Sequence, residues 1–291
     1  MTSSPAVSAP ATTQPGLLLR LAGPMQSWGE RSHFNDRDTA AFPTLSGVVG
    51  LLAGALGRAR GESIEDLAQL SLTVRVDRPG VLLRDLHTVG GGLPATSTVT
   101  TAEGKKRSGS TTTLLSHRTY LADAVFTCAV TGRAGDEADA RLLEACATAL
   151  RRPRWPLYLG RRSCPPEGPL LLGRTSQALT HLVALPIAAP RPDHGGDDSA
   201  TTPVTFLSSA PLDGLRLPDG GTEQEDDGLP ATSTVNDRPL SFGQTQRSYR
   251  SRPLYRRTLP LPARQFEDGL GAAHLHALST YLHENQNTIQ E

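Results

Sequence analysis

The 291 residues carry 29 acidic and 29 basic side chains and are 37 % apolar, enough for one large domain or one domain with a substantial insertion. No apolar run approaches membrane-span length, and residues 1–16 have neither the basic start nor the apolar core of a secretory signal, so a cytoplasmic chain with a disordered tail is expected. The neutral total conceals a split. Residues 191–237 hold ten acids (Asp193, Asp197, Asp198, Asp213, Asp219, Glu223, Glu225, Asp226, Asp227, Asp237) against Arg191 and Arg216, which leaves +8 on the rest and allows a basic face.

Leu17–Leu21 reads as a strand, ended by Gly23–Pro24. A polar loop with Trp28, Arg31, Phe34 and Arg37 follows. A helix is expected from Thr44 to Gly57, capped by Thr44 or Ser46, with Leu45, Val48, Val49, Leu52 and Leu56 at helical spacing. Gly47, Gly50, Gly54 and Gly57 form a second stripe, and tight packing against a neighbouring backbone is the expected cause. A short helix at Ser63–Leu70 and a strand at Leu72–Val76 come next, then Val81–Leu83.

Residues 87–119 are built of Gly, Thr and Ser around Lys105, Lys106 and Arg107. They read as a long, mobile β-hairpin with a basic tip and no apolar face, ordered by a partner. Tyr120–Val130 has strong strand character. Asp136–Leu150 is an amphipathic helix with acids in its first turn and Arg151–Arg152 after its end, both suited to the helix dipole. Residues 190–237 read as an acidic flexible insertion with one possible strand at Val204–Leu207, and Leu254–Leu261 as a closing strand. The tail from Gly271 is a weak helix. LPATSTV occurs twice, at 93–99 and 229–235, too few copies for a repeat architecture.

Candidate chemistry narrows quickly. Cys128, Cys146 and Cys164 form neither a CxxC pair nor an even set and read as reduced thiols. His274, His276 and His283 lack an i, i+4 pair on one helical face, so neither metal nor cofactor is expected. The sequence has no G-x-S-x-G elbow and no P-loop. What remains is nucleic acid. Arginine clusters recur at Arg31 with Arg37, at 151–162 and at 247–257, each with aromatics interleaved, beside the basic tip at 105–107. Aromatics total only 4 %, so recognition should lean on phosphates and 2′-hydroxyls rather than a broad stacking platform. A metal-free ribonuclease using His87, His117 and Tyr120, with Lys105 or Lys106 swinging in, is an alternative. A protein–protein adaptor whose basic patches bind acidic partners is another.

LRLAGPMQSWGE at 19–30, FPTLSGVVGLLAGALG at 42–57, LHTVGGG at 86–92, LLSHRTYLADAVFTCAV at 114–130 and RRPRWPLYLGRRSCP at 151–165 together resemble the CasD subunits, the Cas-five family of the type I-E CRISPR surveillance complex, Cascade. The resemblance covers most of residues 17–175, with a weaker echo at 238–262. The N-terminal tail and the stretch near 190–237 depart from the family. The resemblance implies an α+β protein with a ferredoxin-like (RRM-like) βαββαβ body over 17–175, including a hairpin thumb at 87–119. A C-terminal part at 176–265 and a tail at 266–291 complete the chain. It implies a non-catalytic subunit that binds the 5′ handle of the crRNA and caps the backbone filament in antiviral defence. Its thumb would lie against the adjoining backbone subunit, its body would contact the large subunit, and target DNA would be met only through guide pairing. Expected handle contacts are Arg37, His87, Arg118, Arg161 and Arg162. Gln26 and Trp28 would shape the pocket, and Lys105, Lys106 and Arg107 would touch RNA or the neighbouring subunit. In a related subtype this family itself cuts the precursor, which is the origin of the ribonuclease alternative.

Overall fold

The structure, a computed structural model, describes residues 14–29, 35–92, 94–98, 100, 104–106, 113–193, 200–217, 230–243, 247–267 and 272–290. Most of the N-terminal tail, Arg31, Phe34, Arg107 and much of the acidic stretch lie outside the described residues.

An eight-stranded sheet forms the centre. Four of its strands are β1 (Gly16–Ala22), β4 (Ser71–Arg78), β7 (Val125–Thr131) and β8 (Leu171–Thr175). Helix α1 (Leu45–Leu56) and the short α2 (Glu65–Gln69) connect β1 to β4, and α3 (Glu137–Arg151) connects β7 to β8. These strands lie in the order β4-β7-β1-β8, every pair antiparallel. β10 (Thr201–Ser208), β12 (Arg247–Pro262) and β11 (Ser233–Phe242) extend the sheet beyond β4. β14 (Ile289–Gln290) closes the other edge on β8.

The sheet is covered on both faces, which accounts for the continuous apolar runs in β1 and β7. Leu17, Leu19, Leu21, Phe126, Cys128 and Val130 face one way, into a core shared with α1, α2 and α3. Leu18 and Ala129 face the other way. There they meet α4 (Ala178–Ala184), α5 (Ala272–Glu284) and the small parallel pair β9 (Ile187–Ala188) with β13 (Phe266–Glu267). The three cysteines are buried and reduced; burial pushes the Cys146 thiol up to about 12.

α1 forms as its sequence dictates, with the Thr44 hydroxyl accepting from Gly47 N and Gly57 closing the helix in the left-handed conformation. The glycine stripe has a different cause from the backbone approach expected of it. A Cβ on Gly47 would stand 2.6 Å from the Trp28 ring, and Gly50 and Gly54 face the side chains of Phe242 and Leu157. The expected strand Tyr120–Val130 is two strands. β6 (Leu114–Ala122) ends and β7 begins around Asp123, which has a φ of 57° and is held by Arg78.

Within the stretch expected to be an acidic flexible insertion, 190–237, the possible strand at Val204–Leu207 is present as β10, and the described residues around it are packed. β10 sits between β12 and β4, Phe206 is fully buried, and Leu212 and Leu215 join the same core. Asp237 is buried against Arg252 and also accepts from the Leu45 amide at the start of α1. Phe206→Ala is expected to cost about 3 kcal/mol through the cavity it leaves, read as a lower urea midpoint. Deleting residues 192–227 is expected to prevent folding, whereas a dispensable insertion would leave both measurements unchanged.

Candidate nucleic-acid interface

A second, smaller sheet stands beside the central one. β5 (Val81–Val89) and β6 form an antiparallel hairpin paired from Val81↔Ala122 to Val89↔Leu114. β5 takes one edge of β6. The other edge is shared by β2 (Met25–Gln26), antiparallel, and β3 (Asp36–Arg37), parallel. Towards the distal end a 3₁₀ turn at Ala95–Ser97 and a bridge from Thr100 to Lys106 continue the arms.

Residues directly opposite one another in a sheet share a face, so the register sorts the side chains. One rung runs Asp85–Arg118–Arg37 across three strands. The rungs on either side, on the same face, are Leu83–Tyr120 and His87–Ser116. Arg37 is exposed and Arg118 half-buried, and neither makes an ion pair or side-chain hydrogen bond among the described residues. His87 Nδ1 lies 3.2 Å from the Asp85 carboxylate.

The LGRR turn closes this face. Gly160 has a φ of 89°, and a Cβ there would fall 1.7 Å from Ser27 O, so only glycine lets the turn press against the strand leading out of β2. That contact aims Arg161. Its guanidinium donates to Thr119 O at 3.2 Å, Arg37 O at 2.8 Å and Asp38 O at 3.0 Å, and lies 4.9 Å over the Tyr120 ring. Arg161, expected as a phosphate contact, is a clamp holding β3 to β6. Arg162, next in the turn, is exposed.

Gln26 and Trp28, expected to shape the pocket, are 0 % and 1 % exposed. Gln26 Nε2 donates to Leu21 O and Ala124 O, while its oxygen accepts from Trp28 Nε1. This network ties the small sheet to β1. Lys105 and Lys106 are exposed at the distal end, with Lys106 Nζ donating to Thr98 O. Arg107 lies outside the described residues.

The candidate acid–base residues do not converge. His87 stands opposite Ser116, whereas His117 is the next residue of β6 and belongs to the other face. Tyr120 is 5 % exposed beneath Arg161. Among the described residues no group of three or more His, Cys, Asp or Glu could hold a metal ion, and no helix is long and apolar enough to cross a membrane.

The hairpin's opposite face was misjudged as lacking apolar character. Leu82, Leu86 and Leu115 lie there 69 %, 59 % and 53 % exposed, with Arg84 reaching Asp36 at 3.9 Å. The alternation was legible in VLLRDLHTV, but a boundary set at residue 87 cut it off.

A mixed α+β fold with Arg37 beside Arg118 on its smaller sheet is the frame in which the relatives fall. Residues 16–255 match the family described as CRISPR-associated protein (Cas_Cas5), and the chain belongs to that family. It is 40 % identical over 175 residues to the CRISPR system Cascade subunit CasD of Escherichia coli strain K12, covering 56 % of this chain and 71 % of that one. A chain of a solved CRISPR RNA-guided surveillance complex superposes with a TM-score of 0.75 at 40 % identity, covering 92 % of this chain and 99 % of that chain. A crystal structure of a Cas protein superposes with a TM-score of 0.52 at 32 % identity, covering 88 % and 100 %.

Proposed function

We propose that the chain is a non-catalytic, RNA-binding subunit of a type I-E CRISPR surveillance complex that holds the 5′ handle of the crRNA and caps the backbone filament. The body in this reading is a ferredoxin-like βαββαβ unit of β1, α1, β4, β7, α3 and β8, and the β5–β6 hairpin is its thumb. The observation that carries it is Arg37 beside Arg118, neither ion-paired among the described residues although Asp85 stands opposite Arg118, and both backed by the Arg161 clamp. Two adjacent guanidinium groups suit successive phosphates of one strand. The apolar face of the hairpin suits the neighbouring backbone subunit, since exposed leucines in one row favour a protein surface over water. The large subunit and the guide-paired target DNA complete the partners of this reading. His87 and His117 on opposite faces speak against the ribonuclease alternative.

Arg37→Ala and Arg118→Ala are each expected to weaken capture of handle RNA about tenfold and to lower the salt slope by about one. Fluorescence anisotropy across a salt series checks both, with the melting temperature unchanged. An affinity indifferent to salt would overturn the reading in favour of the adaptor. Purified protein incubated with labelled repeat RNA in chelator is expected to give no product; a specific cut abolished by His87→Ala would make it the nuclease.

A further inference from the structure

We infer that the corner where α1 and α3 end beside the β11–β12 hairpin is a second surface for single-stranded nucleic acid, separate from the thumb. Three distant chain segments meet there. A Cβ on Gly57 would stand 2.5 Å from the Arg154 side chain, and Arg154 N donates to Ala55 O at 2.9 Å. Four residues beyond Gly57, Gly61 N donates to Phe242 O at 3.2 Å, and Phe242 is paired with Arg247 across the hairpin. Arg60, Arg154 and Arg247 are thereby gathered at one end of α1, with Arg152 close by in the chain. All four are exposed, and none of their side chains makes an ion pair or hydrogen bond among the described residues.

Neighbouring acids are engaged elsewhere: Asp66 pairs with Arg58, and Glu62 accepts from Ala59 N.

Trp155 decides the class of partner. The chain has two tryptophans; Trp28 is 1 % exposed, whereas Trp155, next in the chain to Arg154, is 42 % exposed. A large aromatic face among guanidinium groups fits phosphates with an unpaired base stacked between them. An acidic polypeptide would use the charges and leave the ring idle. The site is distinct from the thumb: Gly47, under Trp28, and Gly57 are ten residues apart on α1, about 15 Å along its axis.

The test uses the full chain carrying Arg37→Ala and Arg118→Ala, so that the thumb contributes little. Labelled oligonucleotides unrelated to the handle are titrated as single-stranded RNA, single-stranded DNA and duplex DNA. Adding Arg60→Ala, Arg154→Ala and Arg247→Ala together is expected to lower the single-strand salt slope by about 2. Trp155→Ala is expected to weaken single-strand binding about tenfold at constant slope. Melting temperatures should hold, and a glutamine triple replaces the alanine triple if they do not. Preference for RNA, for DNA or for neither supports the site and assigns its strand. An unchanged triple variant, duplex binding tighter than single-strand binding, or displacement by polyglutamate with no oligonucleotide affinity would each overturn it. Handle capture by the otherwise native chain is measured separately, so failure of either site leaves the other standing.

Discussion

Arg75→Ala is expected to lower stability by more than about 5 kcal/mol, because several buried groups lose their partner at once. Arg75 is fully enclosed on β4, paired with Phe206 of β10 on one side and Thr127 of β7 on the other. Its guanidinium donates to both oxygens of Asp77, at 2.6 and 3.0 Å, and to the carbonyls of Leu182, Leu185 and Pro186 at 2.6–2.7 Å. Those carbonyls end α4 and lead into β9, so one side chain caps a helix and fastens it to the middle of the sheet. Alanine strands a carboxylate that Thr127 Oγ1 and Ala188 N serve only in part. A fall of roughly 10 °C or more in melting temperature is expected. Arg75→Met with Asp77→Leu should recover part of the loss, since removing both charges abolishes the stranded one. A single alanine variant within about 1 kcal/mol of the parent would show that this network contributes little to the fold.

The same arginine marks where sequence reasoning stops. In LTVRV the alternation predicts a strand, and β4 is one, but nothing local says that Arg75 points inward. Whether an arginine is solvated or buried depends on carbonyls more than a hundred residues away. β12 repeats the point: RSYRSRPLYRR reads as a basic patch. Yet Arg252 is consumed by Asp237, and Arg257 by the carbonyls of Leu212 and Leu215. Elements set by local chemistry were legible: the Thr44 cap of α1, and the amphipathic helix α3 with acids in its first turn.

Tertiary context overrides identical sequence in the repeated heptapeptide. Ala95–Ser97 forms a 3₁₀ turn, while the second copy enters β11 at Ser233 because β12 lies alongside to pair with it. At the candidate interface, the types and neighbourhood of Arg37, Arg118 and Arg161 were visible in the sequence. Their division of labour was not, since it rests on the parallel pairing of β3 with β6 and on Gly160 pressing against Ser27.

That division sets the expectation for Arg161. Arg161→Ala should weaken handle capture about 30-fold, more than the loss of either exposed arginine, although its guanidinium faces carbonyls rather than solvent. The estimate takes roughly 2 kcal/mol for several charged hydrogen bonds lost together with the contact to Tyr120. β3 has only two paired residues, Asp36↔His117 and Arg37↔Arg118, so without the clamp the strand that presents Arg37 has little to hold it. Arg161→Lys separates positioning from direct contact. A lysine keeps the charge but cannot span the carbonyls of Thr119, Arg37 and Asp38 with one ammonium, so it should bind as weakly as the alanine variant. Amide exchange around residues 35–40 should accelerate in both variants. If lysine restored affinity and left that exchange slow, Arg161 would be a phosphate ligand in its own right, and the rung would owe its geometry to something other than the clamp.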